Sequence, residues 1–345
     1  MNPPGPTMTH LLQRRQCLAG LGGLLVAGLG MRPALASPTV HRASRVLMGT
    51  RVDIVAQGDN PGATATAVQA AFAEMQRLER MMSRYRADSL VSAMHRNAGQ
   101  GLVMAPPELV AVLQRAAELS RLSEGAFDIT VGAYHGWSFD PQDARVPAPE
   151  DLRRERRLVD FRDVLIHSTT GQAGLSRPGM RIDLGGVAKL PILQAGLRVL
   201  EQHGLRHAMV NGGGDVLTRG QLLGQDWRVG IRDPRAPERL IGTVQVRDAC
   251  VASSGDYERC FLRNGRRYHH VLDPRTGMPS HGMRGVVTVS RQPDPVNGLG
   301  AAIMVAGAAA GQQLLAPLRG VDSLMVDASA KVLITGRMGE HLQAA

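Results

Sequence analysis

Lysine is nearly missing from this chain of 345 residues: Lys189 and Lys331 are the only two in a Lys-plus-Arg total of 40. The formal charge of +10 is therefore arginine charge, scattered among Asp and Glu with no long basic run. Arginine-biased usage accounts for it better than a nucleic-acid-binding face does. Aromatics make up 3% of the chain, so Leu, Val, Ile, Met and Ala must fill the interior. No apolar stretch reaches the roughly 20 strongly apolar residues that a membrane-spanning helix needs, and no low-complexity tract or solenoid-period repeat is present. Three cysteines are too few for a disulfide framework and wrongly spaced for a zinc site. What is present, 43% hydrophobic and 20% charged residues, suffices to bury a core in one large domain or two.

The first 36 residues read as an export signal. Arg14 and Arg15 precede a weakly apolar, glycine-rich stretch from Cys17 to Met31, and Ala34-Leu35-Ala36 offers a small-residue cleavage site before Ser37. Paired arginines before a weak core fit the twin-arginine route, which implies a periplasmic protein. An uncleaved anchor is the alternative, and the shortness of the apolar stretch counts against it. Residues 37–345 then form the working domain. Cys250 and Cys260 remain in it, and their spacing permits either a hairpin disulfide or two independent thiols.

Periodicity predicts a strand over Arg45–Ala56 interrupted at Gly49-Thr50, and helices over Thr64–Met82 and from Pro107 onward to Gly125. Residues Asp140–Arg157, rich in proline and charge, read as an exposed excursion. Strands are expected at Met180–Leu184, His207–Val210, Trp227–Ile231, Thr243–Val246 and Gly285–Ser290, and a closing pair at Ser323–Val326 and Lys331–Ile334. Helices are expected over Pro191–His203 and Asn297–Leu315. Strands and helices mix without βαβ alternation, so the predicted class is α+β.

Three segments carry chemistry. Asn211-Gly212-Gly213-Gly214-Asp215 lies between strand-like runs; it reads as a phosphate-approaching loop or as a plain glycine hairpin turn. No helix follows and GxGxxG spacing is missing, which excludes a dinucleotide fingerprint. Asp183-Leu184-Gly185-Gly186-Val187-Ala188-Lys189 runs into a helix start, where anions are favoured, and Lys189 supplies a compact ammonium in a chain that otherwise writes its cations as Arg. His269 and His270 point to opposite faces of a strand, so one of them at most faces a site.

Met48-Gly49-Thr50, Met82 to Ser89, Ser123 to Asp128, Asp183 to Lys189, Asn211 to Asp215, Ser254 to Tyr257 and His270 to Gly277 follow one another in the order of the ApbE family, the FAD:protein FMN transferases, which this chain resembles from about Arg45 to Ala310. The resemblance implies a T-fold-like α+β architecture of mixed sheets and packed helices with FAD between two halves. It implies an exported enzyme that transfers FMN from FAD, through a phosphoester bond, to a threonine of an acceptor protein, releasing AMP. That acceptor would be a periplasmic or membrane electron-transfer protein, reached at the periplasmic face of the inner membrane. By position, Met48 would contact the isoalloxazine and Tyr85 the adenosine side. Ala126, Phe127, Asp128, Asp183, Lys189, Asp215 and Val271 would complete the FAD site, and His270 would be the base.

Mg²⁺ is the metal the resemblance implies, held by the Gly186 carbonyl and by an Asp and a Thr four residues apart. This chain has Asn297 and Ala301 at those two places. An amide and a methyl replace a carboxylate and a hydroxyl, so a weakened metal site is expected, with Asp294 as a candidate substitute. After Lys189, Leu190, Pro191 and Gln194 stand where the family has Gly-Tyr and a later Asp. The alternative to a working transferase is a flavin-binding accessory protein in the maturation of a periplasmic redox system, such as that of nitrous oxide respiration.

Overall fold

Met48 and Gly49 both adopt left-handed backbone angles, φ 54° and 69°. That is the two-residue turn that matches the twist of a hairpin. The interruption expected at Gly49-Thr50 is therefore a reversal joining strands Thr39–Leu47 (β1) and Thr50–Gly58 (β2), with Leu47 opposite Thr50. The computed structural model describes residues 38–344, so the signal segment and Cys17 lie outside the described residues.

Six further strands extend that hairpin: His207–Gly212 (β3), Asp215–Arg219 (β4), Cys250–Gly255 (β5), Met283–Ser290 (β6), Val321–Asp327 (β7) and Val332–Thr335 (β8). Their order across the sheet is their order in the chain, and every pairing in the sheet is antiparallel. Side-chain alternation separates the two faces. Ile54, Leu217, Cys250 and Met325 pack into the core beneath the helices. Their neighbours Val55, Val216, Val251 and Leu324 pack on the other side against Trp227, Val229, Ile231, Val244 and Val246 of a smaller antiparallel sheet, Trp227–Asp233 with Ala236–Val246. Each such side chain, fully buried, contributes about 1.5–3 kcal/mol, so both faces hold the sheet in place.

The helical layer comes mostly from the connection between β2 and β3. It contains Pro61–Met82 (α1), Leu90–Arg96 (α2), Pro107–Leu122 (α3), Pro149–Glu155 (α4) and Lys189–Gln202 (α5). Asn60 caps α1 through its side chain, and proline opens α1, α3 and α4. The excursion expected over Asp140–Arg157 thus contains a short helix, with Glu150 and Asp151 favourably placed in its first turn.

Two further expectations are corrected. Met180–Leu184 forms no strand, because its backbone donors go elsewhere: Ile182 N–H to His95 Nε2 at 3.0 Å and Asp183 N–H to the Ile129 carbonyl at 2.7 Å. The helix expected over Asn297–Leu315 is two helices, Leu299–Ala306 (α6) and Ala308–Leu315 (α7), broken where Gly307 takes φ 85°. Asn297 lies before α6, separated from it by Gly298 at φ 78°.

Between β5 and β6 the chain throws out an arm, the hairpin Cys260–Arg263 and Arg266–His269, turned at Asn264 and Gly265. Its Phe261 and Tyr268 rings stack at 5.2 Å and meet Phe139 and Trp137 from the loop before α4. Four of the chain's few aromatics thus gather where Trp137 and Phe139 line a cavity.

Candidate active site

That cavity has a volume of about 800 Å³, ample for a dinucleotide-sized ligand by the usual range of ligand clefts. Its wall is assembled from segments far apart in sequence. The β1–β2 turn brings Met48, whose N–H donates to Glu79 Oε1 of α1 at 2.7 Å. Tyr85 stands exposed at the rim beneath the Arg84 guanidinium, 5.0 Å from its ring centre. Ala126, Phe127 and Asp128 follow from the end of α3, and Asp183 and Gly186 from the loop that leads into α5. Lys189 opens that helix, and Asp215 comes from the β3–β4 turn. His270 and Val271 leave the arm, and Asn297 and Ala301 lie just before and inside α6. Every residue to which the resemblance gives a site role therefore lines the same cavity, whereas Asp294, the candidate substitute, is exposed in the short turn Asp294–Val296 and is not on the wall.

Lining a cavity is not the same as facing a ligand. Both carboxylate oxygens of buried Asp128 are used within the chain: Oδ1 accepts from the Thr130 N–H at 2.7 Å and its hydroxyl at 2.6 Å, and Oδ2 from the Phe161 N–H at 2.9 Å. Burial nevertheless pushes this carboxyl up. Its side chain caps and braces the loop, while the residue itself lines the cavity. Asp183 accepts from the Gly185 N–H at 2.8 Å and pairs with Arg84 at 2.8 Å. Lys189 Nζ meets Asp215 Oδ2 at 2.9 Å, and Asp215 Oδ1 accepts from the Ser253 N–H at 2.9 Å. Gly213 and Gly214, at φ 60° and 92°, make the Asn211–Asp215 segment a two-residue hairpin turn, whose structural result is the placement of Asp215 against Lys189.

The two histidines separate as strand alternation requires. His269 is buried, with Nε2 bonded to the Ser280 carbonyl at 2.7 Å and Nδ1 accepting from the Val271 N–H at 3.4 Å. Burial holds it below the usual imidazole range. His270 faces the cavity with Nδ1 buried and unpartnered, while Nε2 is neither bonded nor sealed off. Burial first, then the charges of Arg259, His269 and Lys189, lower its pKa to about 3. His270 is thus neutral at physiological pH and able to accept a proton.

The cradle expected to hold a metal is electrically neutral. Gly186 offers a carbonyl, Asn297 an amide, and Ala301 only a methyl. The Asn297 amide is buried and donates through Nδ2 to the Val187 carbonyl at 2.9 Å, which ties the glycine loop to the α6 entrance. Arg115 reaches the carbonyls of Pro295 and Asn297 at 3.2 and 3.4 Å and brings positive charge behind them. The nearby carboxylates, Asp183 and Asp215, are committed to Arg84 and Lys189. Among the described residues no group of three His, Cys, Asp or Glu side chains is placed to hold a metal. Mg²⁺ prefers charged oxygens in near-octahedral array, so these residues do not fit a tight magnesium site, and Asp294 does not repair it.

Several wall residues were given no role from the sequence: Arg84, His95, Tyr134, Trp137, Arg181 and Arg259. Arg259 alone had a local signal. Asn264-Gly265 is a strong hairpin turn sequence, and counting back from it sets Arg259 opposite His270. The thiols of Cys250 and Cys260 are both free, which resolves the pair in favour of independent thiols. Cys250 points from the sheet into the helical core, whereas Cys260 belongs to the arm.

Comparison with known proteins bears on the family and the fold. The sequence model of the ApbE family matches residues 48–325. An FAD:protein FMN transferase of Treponema pallidum is 31% identical over 88% of this chain and 88% of its own length. One from Klebsiella pneumoniae is 32% identical over 72% of this chain and 77% of its own. The crystal structure of the ApbE protein of Thermotoga maritima superposes with a TM-score of 0.80 at 27% identity, covering 88% of this chain and 100% of that one.

Proposed function

This chain belongs to the ApbE family, and from that premise we propose that it is an FAD:protein FMN transferase whose cavity binds FAD and whose His270 receives the proton of the attacking hydroxyl. The single observation that carries the assignment of roles is the unbonded Nε2 of neutral His270, in a cavity that also presents Lys189. In the reaction, a threonine Oγ of the acceptor protein forms a bond to the FMN phosphorus, and the bond from that phosphorus to the AMP oxygen breaks. The threonine proton passes to His270, and AMP leaves with the electron pair.

Such a transfer depends on positioning and charge balance rather than on covalent help from the protein. Met48 and Phe127 offer apolar contact for the isoalloxazine, and Tyr85 at the rim fits the adenosine side. Lys189 can exchange its bond to Asp215 for the diphosphate, and Asp215 keeps the ammonium aimed until then. The arriving diphosphate also acts on the base. Negative charge beside His270 opposes the cationic field that suppresses its protonation, so the imidazole becomes more basic when the substrate is in place.

The acceptor is a protein with an accessible threonine, and the export signal places the reaction in the periplasm in this reading. The accessory-protein alternative is not favoured, because the relatives named above are transferases over nearly the whole domain. The test incubates the protein with FAD and a threonine-bearing acceptor, then measures AMP release and in-gel flavin fluorescence on the acceptor. His270→Ala is expected to abolish both while FAD affinity stays within about threefold, since the base is needed in the chemical step. Transfer undiminished in His270→Ala would assign the proton to another group.

A further inference from the structure

Five cationic side chains line the cavity: Arg84, Arg145, Arg181, Lys189 and Arg259. Three are already matched to carboxylates, Arg84 with Asp183 at 2.8 Å, Lys189 with Asp215 at 2.9 Å and Arg145 with Asp143 at 3.2 Å. Among the described residues, neither Arg181 nor Arg259 has a carboxylate within ion-pair distance. The two stand at different places. Arg181 adjoins Ile182, whose N–H is bonded to His95, whereas Arg259 stands at the base of the arm beside the base of the reaction.

The register fixes that second position. Cys260 pairs with His269 and Phe261 with Tyr268, and the ladder runs one step further through the His270 N–H, which donates to the Arg259 carbonyl at 3.1 Å. Arg259 and His270 are therefore cross-strand neighbours on one face of the ribbon, where Cβ atoms stand about 4.5–5.5 Å apart. Both line the cavity. On the same cavity wall, Gly186, Asn297 and Ala301 contribute no charged group.

We propose that Arg259 binds the diphosphate of FAD and, together with Lys189, supplies the positive charge that balances the reaction, so that FAD binding and FMN transfer need no tightly held divalent cation. The inference rests on the transferase reading and deepens it. A guanidinium can donate two parallel hydrogen bonds to phosphate oxygens. From its place opposite His270, Arg259 can contact the phosphorus-bound oxygens that gain charge as threonine Oγ attacks, while the AMP oxygen carries away the electron pair of the broken bond. The charge ledger closes: the proton taken by His270 offsets the extra negative charge on the separated phosphates.

Titration of FAD and, separately, riboflavin into the EDTA-treated protein tests this, with and without millimolar MgCl₂. The natural protein is expected to bind FAD in EDTA within about threefold of its affinity in MgCl₂. Arg259→Gln should weaken FAD binding about tenfold or more, the loss expected of one charge-assisted contact, and leave riboflavin, which has no diphosphate, unaffected. Arg259→Lys should recover part of the loss. Arg259 is exposed, and an unchanged melting temperature in both variants would show that the fold is intact. FAD binding that appears only with MgCl₂, or that survives Arg259→Gln, overturns the proposal while leaving the transferase reading standing. No binding of FAD by the natural protein under any condition would overturn the transferase reading itself.

Discussion

Replacing Asn297 by Asp probes the neutral cradle most directly. The side chain is 3% exposed, and its Nδ2 is the donor to the Val187 carbonyl. A carboxylate there cannot donate, so the carbonyl loses its partner at a cost of about 1–3 kcal/mol, and two oxygens face one another. Desolvating the new charge adds to that cost, and Arg115 close behind offsets part of it. A net loss of about 2–3 kcal/mol at neutral pH follows, or roughly 3–5 °C in melting temperature for a domain of this size. The cost should shrink near pH 5, where a protonated carboxyl regains the donor. Thermal denaturation in EDTA at pH 7.5, at pH 5, and at pH 7.5 with MgCl₂ measures each part. The variant is expected to melt lower in EDTA and to be raised by Mg²⁺ more than the natural protein is, because it alone presents a charged oxygen next to the Gly186 carbonyl. Equal melting of the two proteins in EDTA would refute the role given to the Asn297 amide. An equal rise with Mg²⁺ would refute the claim that the natural donor set holds the metal poorly.

Two further outcomes follow from buried charge and from the leading segment. His95 and His270 have pKa values lowered to about 4 and about 3, and His269 is lowered too, burial being the first cause in each case. The unfolded chain takes up these protons near pH 6.5 and the native state refuses them, so stability should fall as pH drops from about 6.5 towards 4, by up to about 1.4 kcal/mol per pH unit for each histidine. Asp128, Glu155 and Asp256, raised by burial, oppose this at the acid end because the native state protonates them first; urea titrations at pH 7, 6 and 5 that superimpose would contradict the expectation. Arg14→Lys with Arg15→Lys should leave the protein in the cytoplasmic fraction of its host if the twin-arginine route carries it, and undisturbed recovery from the periplasm would count against that route.

Much of this molecule could be read from local pattern because local pattern is what the physics uses. Alternation at Ile54 and Val55, or at Val216 and Leu217, assigns side chains to opposite faces of a strand wherever the strand lies, and proline with polar caps starts helices whatever they pack against. The ordered motifs likewise marked out positions that converge on one cavity. Partnership could not be read that way. Met180–Leu184 has the composition of a strand, yet its donors meet His95 and Ile129 instead of a ladder. Asp128 has the chemistry of a ligand, yet its oxygens are used by Thr130 and Phe161. Residue types and their periodicity were determined by the sequence alone. Which carboxylate is already neutralised, and that Asn297 ties Val187 where a metal was expected, were decided only when segments well apart in the chain were folded together. Hydrogen bonding and charge pairing act across space, and a linear pattern carries no distance between groups so far apart along the chain.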